Sequence, residues 1–310
     1  MTNFFKYILS SVFILIIFSG CTKEYESIEQ VDENNINAYI QKNKLTDIQQ
    51  YKNTGIRYQL LNQGTGLTLD FAKPVAAILT VQSIDGKFLA VDTMAFYNRY
   101  YGFLGYFQPY SNAVFASKEL IPELIKSVLV KEGGAMRILV PSKLAYGRNT
   151  ISSFPGYPDI KLPGNSSLDI SIKLLKTDKL EQYADETILQ YLQKNSLTGF
   201  TKTPSGVYYK IANPGTGSPI TVDSTIIAEY NLRLLDGKVI ETATTTNPYT
   251  SPLFRQINAW KEIVPLIKQG GSVRIITPYT QAYGNAEAVL VGKAPFLQMD
   301  FDLKVNDVTN

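Results

Sequence analysis

Histidine is absent from this 310-residue chain, and cysteine and tryptophan occur once each. The missing histidine removes Ser-His-Asp and Cys-His catalysis and the commonest metal ligand. A lone Cys21 forms no internal disulfide and no CxxC site. Charge of one sign is also scarce: 30 Lys and Arg against 27 Asp and Glu leave +3. With no basic block, nucleic acid is not an expected partner, and neither a metal nor a cofactor is expected. What is present is 45% hydrophobic residues, enough to pack about two domains of ordinary size.

The first residues account for the cysteine. "MTNFFKYILSSVFILIIFSGC" has Lys6, an apolar run from Tyr7 to Phe18, and small residues before Cys21. The run is short for a bilayer span and suits a signal-peptide core. "FSGC" resembles a lipoprotein cleavage box, with Phe18 in place of the usual Leu. Residues 1–21 therefore read as a lipoprotein signal peptide, with Cys21 lipidated and the chain membrane-anchored in the cell envelope. An uncleaved anchor with an incidental cysteine is the alternative. Residues 22–35, polar and acidic, read as a tether.

The rest of the chain repeats itself. "NAYIQKNKL" (37–45) pairs with "LQYLQKNSL" (189–197), and "TGIRY" (54–58) with "SGVYY" (205–209). GTG at 64–66 returns at 215–217, DGK at 85–87 at 236–238, GG at 133–134 at 270–271, and AYG at 145–147 at 282–284. Shared order and spacing mark a duplicated domain, over 36–180 and 184–310. Each copy opens on a short amphipathic helix (36–45, 186–196). "VYYKIA", "STIIAEYNLRLL", "SVRIIT" and "FLQMDFDLKV" read as strands, and DGK as a hairpin turn. In "FRQINAWKEIV" (254–264), Ile257, Trp260, Ile263 and Val264 share a helix face, and Pro265 stops or kinks it. An α+β fold follows, with one short helix against a twisted antiparallel sheet in each copy.

In order, these words resemble the FKBP-type prolyl isomerase family across nearly the whole chain after Cys21. The resemblance implies two half-barrel sheets, each wrapped on a short helix over an apolar pocket. In the second copy it assigns Tyr230, Glu241, Trp260 and Tyr283 to catalysis, and Ile240, Tyr249, Ile257 and Met299 to substrate binding. Trp260 is expected to floor the pocket and Tyr283 to hold a substrate carbonyl. Glu241 stands where the family has an Asp, one methylene shorter. The implied substrates are proline-containing polypeptide segments, which suits a chain without histidine because turning an X-Pro amide breaks no bond. Helping exported proteins to fold is the expected role. A non-catalytic binding module in an envelope or motility assembly is the alternative, because fold does not fix function.

The first copy departs from the pattern. Leu79 stands at the strand tyrosine, Ala90 at the acidic position (Asp92 comes two residues late), and Glu123 or Leu124 at the tryptophan. Tyr110, Tyr146 and Leu162 remain, a degenerate site. This copy also carries 14 extra residues around "FYNRYYGFLGYFQPY", Phe96–Tyr110, a stretch in which eight of fifteen residues are aromatic. They read either as a surface for a protein partner or as a cover for the copy's own groove. In a bacterial host, Cys21→Ser is expected to move the protein out of the membrane fraction, as fractionation and blotting would show; unchanged membrane retention would favour the uncleaved anchor.

Overall fold

The computed structural model describes residues 26–90, 98–107, 115–154, 157–285 and 294–309. Cys21, Asp92 and Tyr110 lie outside them.

The sequence repeat becomes a topological repeat. The first sheet uses β1 (Gln49–Gln50), β2 (Arg57–Asn62), β3 (Pro74–Ser83), β4 (Leu89–Ala90), β5 (Arg99–Phe103), β6 (Ala135–Val140) and β9 (Leu168–Leu175). Its order is β1-β2-β6-β9-β3-β4, with β5 also on β3. The second sheet uses β10 (Thr201–Lys202), β11 (Tyr208–Asn213), β12 (Thr225–Leu234), β13 (Val239–Ala243), β14 (Tyr249–Pro252), β15 (Ser272–Thr277) and β16 (Met299–Thr309). Its order is β10-β11-β15-β16-β12-β13, with β14 on β12. All these pairings are antiparallel. A β7 (Ile151–Phe154) and β8 (Tyr157–Leu162) hairpin stands apart in the first unit.

The DGK words turn the chain as expected. Gly86 and Gly237 have φ of +77° and +90°, where a side chain would be strained. The carboxylates of Asp85 and Asp236 accept from the backbone N–H of Lys87 and Lys238.

Inside each curl lies one short helix. In the first unit it is α2 (Leu120–Leu129), with Ile121, Leu124, Ile125 and Leu129 buried. In the second it is α4 (Asn258–Ile263), flanked by 3₁₀ turns at Leu253–Arg255 and Val264–Leu266. The helix expected over 254–264 is thus shorter. Ile257 is its extended N-cap rather than a helical residue, and Pro265 falls in the closing turn.

The leading helices are longer than expected. α1 (Ile28–Lys42) and α3 (Leu180–Lys194) each have 15 residues. Residues 28–35, read as tether, are therefore helical. Ser27 caps α1 by accepting from Gln30 N–H. Asp32 is buried, accepting from the hydroxyls of Ser142 at 2.8 Å and Ser167 at 2.7 Å. Those bonds explain why so polar a segment packs: its buried group is a satisfied carboxylate.

Both leading helices lie on the sheet face opposite the core helix, held by the same device. Tyr39 of α1 donates to the buried Asp169 at 2.8 Å, and Arg137 pairs with that carboxylate at 3.2 Å. Tyr191 of α3 donates to the buried Asp300 at 2.8 Å, and Arg274 donates twice to it, at 2.6 and 2.9 Å. Removing one partner of a buried charged network leaves the others uncompensated. Asp300→Ala is therefore expected to cost about 3–5 kcal/mol of stability, read as a fall in the urea midpoint. A midpoint close to wild type would contradict the clamp.

Candidate functional site

Strand alternation places the site. On β12, Tyr230 lies opposite Ala243 of β13, and Leu232 opposite Glu241. On its other side Leu232 faces Phe301 of β16, and Leu234 faces Met299. Tyr249 of β14 lies opposite Ala228. Trp260 comes up from α4 beneath this face and is 3% exposed.

Three rings meet the indole edge-on. Tyr230 and Phe301 stand 5.4 Å from Trp260 and Tyr249 6.0 Å, centroid to centroid. Tyr230 and Tyr249 are 5.6 Å apart. Such edge-to-face pairs add about 0.5–1.5 kcal/mol each beyond area burial. Met299 is buried in the same cluster, while Ile240, Ile257 and Tyr283 are half-buried against it. All the second-copy residues expected from the sequence therefore belong to one cluster or adjoin it. Glu241 joins through the Tyr230 hydroxyl, which donates to its carboxylate at 3.3 Å. Tyr249 donates to Gln256 Oε1 at 3.1 Å, and Gln256 in turn donates to Ser251. Gln256 and Phe301 are additions to the expected set. Phe301 was detectable as the residue two after Met299, on the same strand face; Gln256 had no sequence signal.

The polar atoms here are largely neutral donors. Burial, then the charge of Glu241, raises the Tyr230 hydroxyl well above the ordinary tyrosine range. Burial, then the nearby Glu241 and Tyr249, pushes Tyr283 up to about 12. Both stay protonated at neutral pH. The buried Trp260 Nε1–H has no hydrogen-bond partner among the described residues. Among those residues no group of three or more Asp, Glu or Cys side chains is placed to hold a metal ion.

The equivalent region of the first unit is filled. Leu79 and Leu124 are buried in the core with Phe88, Phe107, Phe115, Tyr146 and Leu162. Glu123 points outward, paired with Lys52 at 2.7 Å, so Leu124 takes the tryptophan's place. Phe115 stacks edge-on against Tyr146 at 5.2 Å, and burial raises that tyrosine's hydroxyl pKa. The described part of the aromatic insertion divides. Leu104 and Phe107 enter the core, and Tyr100 packs on Phe107 at 4.8 Å. Phe103 and Tyr106 remain exposed beside exposed Phe71.

The sequence model described as FKBP-type peptidyl-prolyl cis-trans isomerase matches residues 217–305, within the second unit. A probable FKBP-type peptidyl-prolyl cis-trans isomerase FkpA of Neisseria meningitidis is 37% identical over 95 residues, 30% of this chain and 35% of that protein. The outer membrane protein MIP of Legionella longbeachae is 33% identical over 90 residues, 29% of this chain and 39% of that protein. The crystal structure of FkpA from Escherichia coli aligns at a TM-score of 0.36 with 25% identity, covering 43% of this chain and 64% of that one. The chain thus spans little more than a third of the length of these two curated relatives.

A tyrosine that resists ionisation makes folding pH-dependent in one direction. An unfolded tyrosine ionises near pH 10, but Tyr283 in the fold ionises only near 12. Its contribution is present below about pH 10 and is lost as pH rises through about 12. Urea midpoints are expected to fall from about pH 9 to about pH 11, and less steeply in Tyr283→Phe; equal slopes would place Tyr283 in a solvated setting. Trp260, set among Tyr230, Tyr249 and Phe301, thus lies within the stretch, residues 217–305, that is similar to FKBP-type peptidyl-prolyl cis-trans isomerases.

Proposed function

We propose that the second domain binds X-Pro segments over Trp260 and catalyses their cis-trans isomerisation. The observation that carries this reading is the aromatic cluster itself: an indole packed edge-on by three rings, with neutral tyrosine hydroxyls beside it. Amide rotation faces a barrier of about 18–20 kcal/mol because the planar form is resonance-stabilised. The twisted amide has lost that resonance and is less dipolar, so a dry aromatic wall favours it relative to water. No acid, base or nucleophile is needed, in keeping with a chain that has no histidine.

In this reading Trp260 supports the proline ring, with Ile257, Ile240, Met299 and Phe301 as its apolar surroundings. Tyr283 donates to a substrate carbonyl and fixes the peptide's orientation. Glu241 accepts from Tyr230 at 3.3 Å, longer than an ordinary hydroxyl–carboxylate bond, and steadies that ring. Among the described residues of the first domain, Leu79, Leu124 and Phe115 are buried in the core at the equivalent positions. Its exposed Phe71, Phe103 and Tyr106 suit contact with a protein client. Likeness to FkpA and to an outer membrane protein supports a place in the cell envelope, where uncatalysed isomerisation over about 10–100 s would delay the folding of exported chains. Cys21 supplies the lipid anchor.

The full chain is expected to accelerate cis-to-trans conversion of a short X-Pro peptide. Tyr283→Phe is expected to lower kcat/KM about two- to tenfold, the value of one ordinary hydrogen bond, and Trp260→Leu to lower it further. Tyr146→Phe in the first domain is expected to leave it unchanged. Peptide binding to a folded chain without acceleration would favour the non-catalytic module instead.

A further inference from the structure

Phe296, together with Tyr279, ties the second domain to the first. Phe296 is fully buried, yet it packs with Ala76 and Leu175 of the first sheet and Leu180 and Ala184 of α3. Arg99, the first residue of β5, donates from Nη1 to the Phe296 carbonyl at 2.6 Å. Its guanidinium lies 5.0 Å from the Phe296 ring centroid, a cation–π arrangement. The ring of Tyr183 meets Phe296 edge-on at 6.5 Å.

Phe296 is also joined to the segment that carries Tyr283. Its backbone N–H donates to the side chain of Asn285 at 2.9 Å. Asn285 follows Tyr283 by two residues, and Phe296 precedes Met299 by three. A φ of +40° at Phe296 is strained for an aromatic residue, so its neighbours must hold it there. The first domain therefore grips the point where two pocket-bearing segments are cross-linked.

We propose that Arg99 is a positioning residue for the second domain's pocket: through Phe296 and Asn285 it sets the placement of Tyr283 and Met299, making the filled first domain a working part of the neighbouring site. This rests on the second domain being the X-Pro site. Arg99 acts at a distance, without touching substrate. The link is physical, running through a charge-assisted hydrogen bond, a buried ring and an Asn–backbone bond in series.

The test uses the full chain with Arg99→Ala, Arg99→Lys and Phe296→Leu. Three readouts are compared: kcat/KM on an X-Pro peptide, the emission of Trp260 as the sole tryptophan, and the urea midpoint. Arg99→Ala is expected to lower kcat/KM about two- to thirtyfold and to shift Trp260 emission. Arg99→Lys, which keeps a donor and a charge, is expected to restore most of both, and Phe296→Leu to resemble Arg99→Ala. A lower midpoint with kcat/KM and emission both unchanged would mean that the contact only joins the domains, and would overturn the proposal. If the wild-type chain shows no isomerase activity, the reading of the site fails. Emission then decides the coupling: a shift restored by lysine supports it, and no shift overturns it.

Discussion

The carboxylate of Asp300 is fully buried, held there by donors from Arg274 on β15 and Tyr191 on α3. Such an ion would be too costly to bury without them. Because strand residues alternate between faces, fixing Asp300 on the outer face fixes Met299 and Phe301 on the inner one. The register that satisfies the charge is thus the register that brings Phe301 to Trp260. A slip of one residue would bury the wrong face and leave the carboxylate among apolar side chains. Polar and aromatic chemistry on opposite faces of β16 are set by one constraint. Asp169, Arg137 and Tyr39 impose the same constraint on the first sheet.

The two domains show what one fold can do with its interior. Both sheets have the same strand order. In the second, tyrosines and a tryptophan leave polar atoms and half-buried rings facing the concave side. In the first, Leu79, Phe88, Leu124 and Phe115 fill the corresponding volume with apolar atoms. At its edge the first domain meets its neighbour, where Arg99 of β5 donates to the Phe296 carbonyl.

Much of this was legible in the sequence. Paired words kept the order of strands and turns, and the glycine of each DGK word marked a hairpin turn. The place of Trp260 and Tyr283 in the ordered words was enough to expect them together, and Tyr283 packs against the cluster that holds Trp260. Residues 28–35 misled because the helix they form is polar, and its buried group is Asp32, satisfied by serines more than 100 residues away. Phe301 went unnoted beside Met299, although strand alternation puts both on one face. The pairing of Arg99 with Phe296 had no sequence signal, because nothing in a linear pattern states which loop meets which sheet edge.

The helix α3 divides its labour along its length. Leu180 and Ala184 pack at the junction with the first sheet, while Ile188, Tyr191 and Leu192 pack on the second. A helix that belongs to the duplicated unit is thereby also the joint between units. Duplication of such a unit needs no invented linker, because each copy arrives with its own connector and its spacing already set by the length of a helix. The architecture is modular: the leading helix of the second unit also makes the joint with the first.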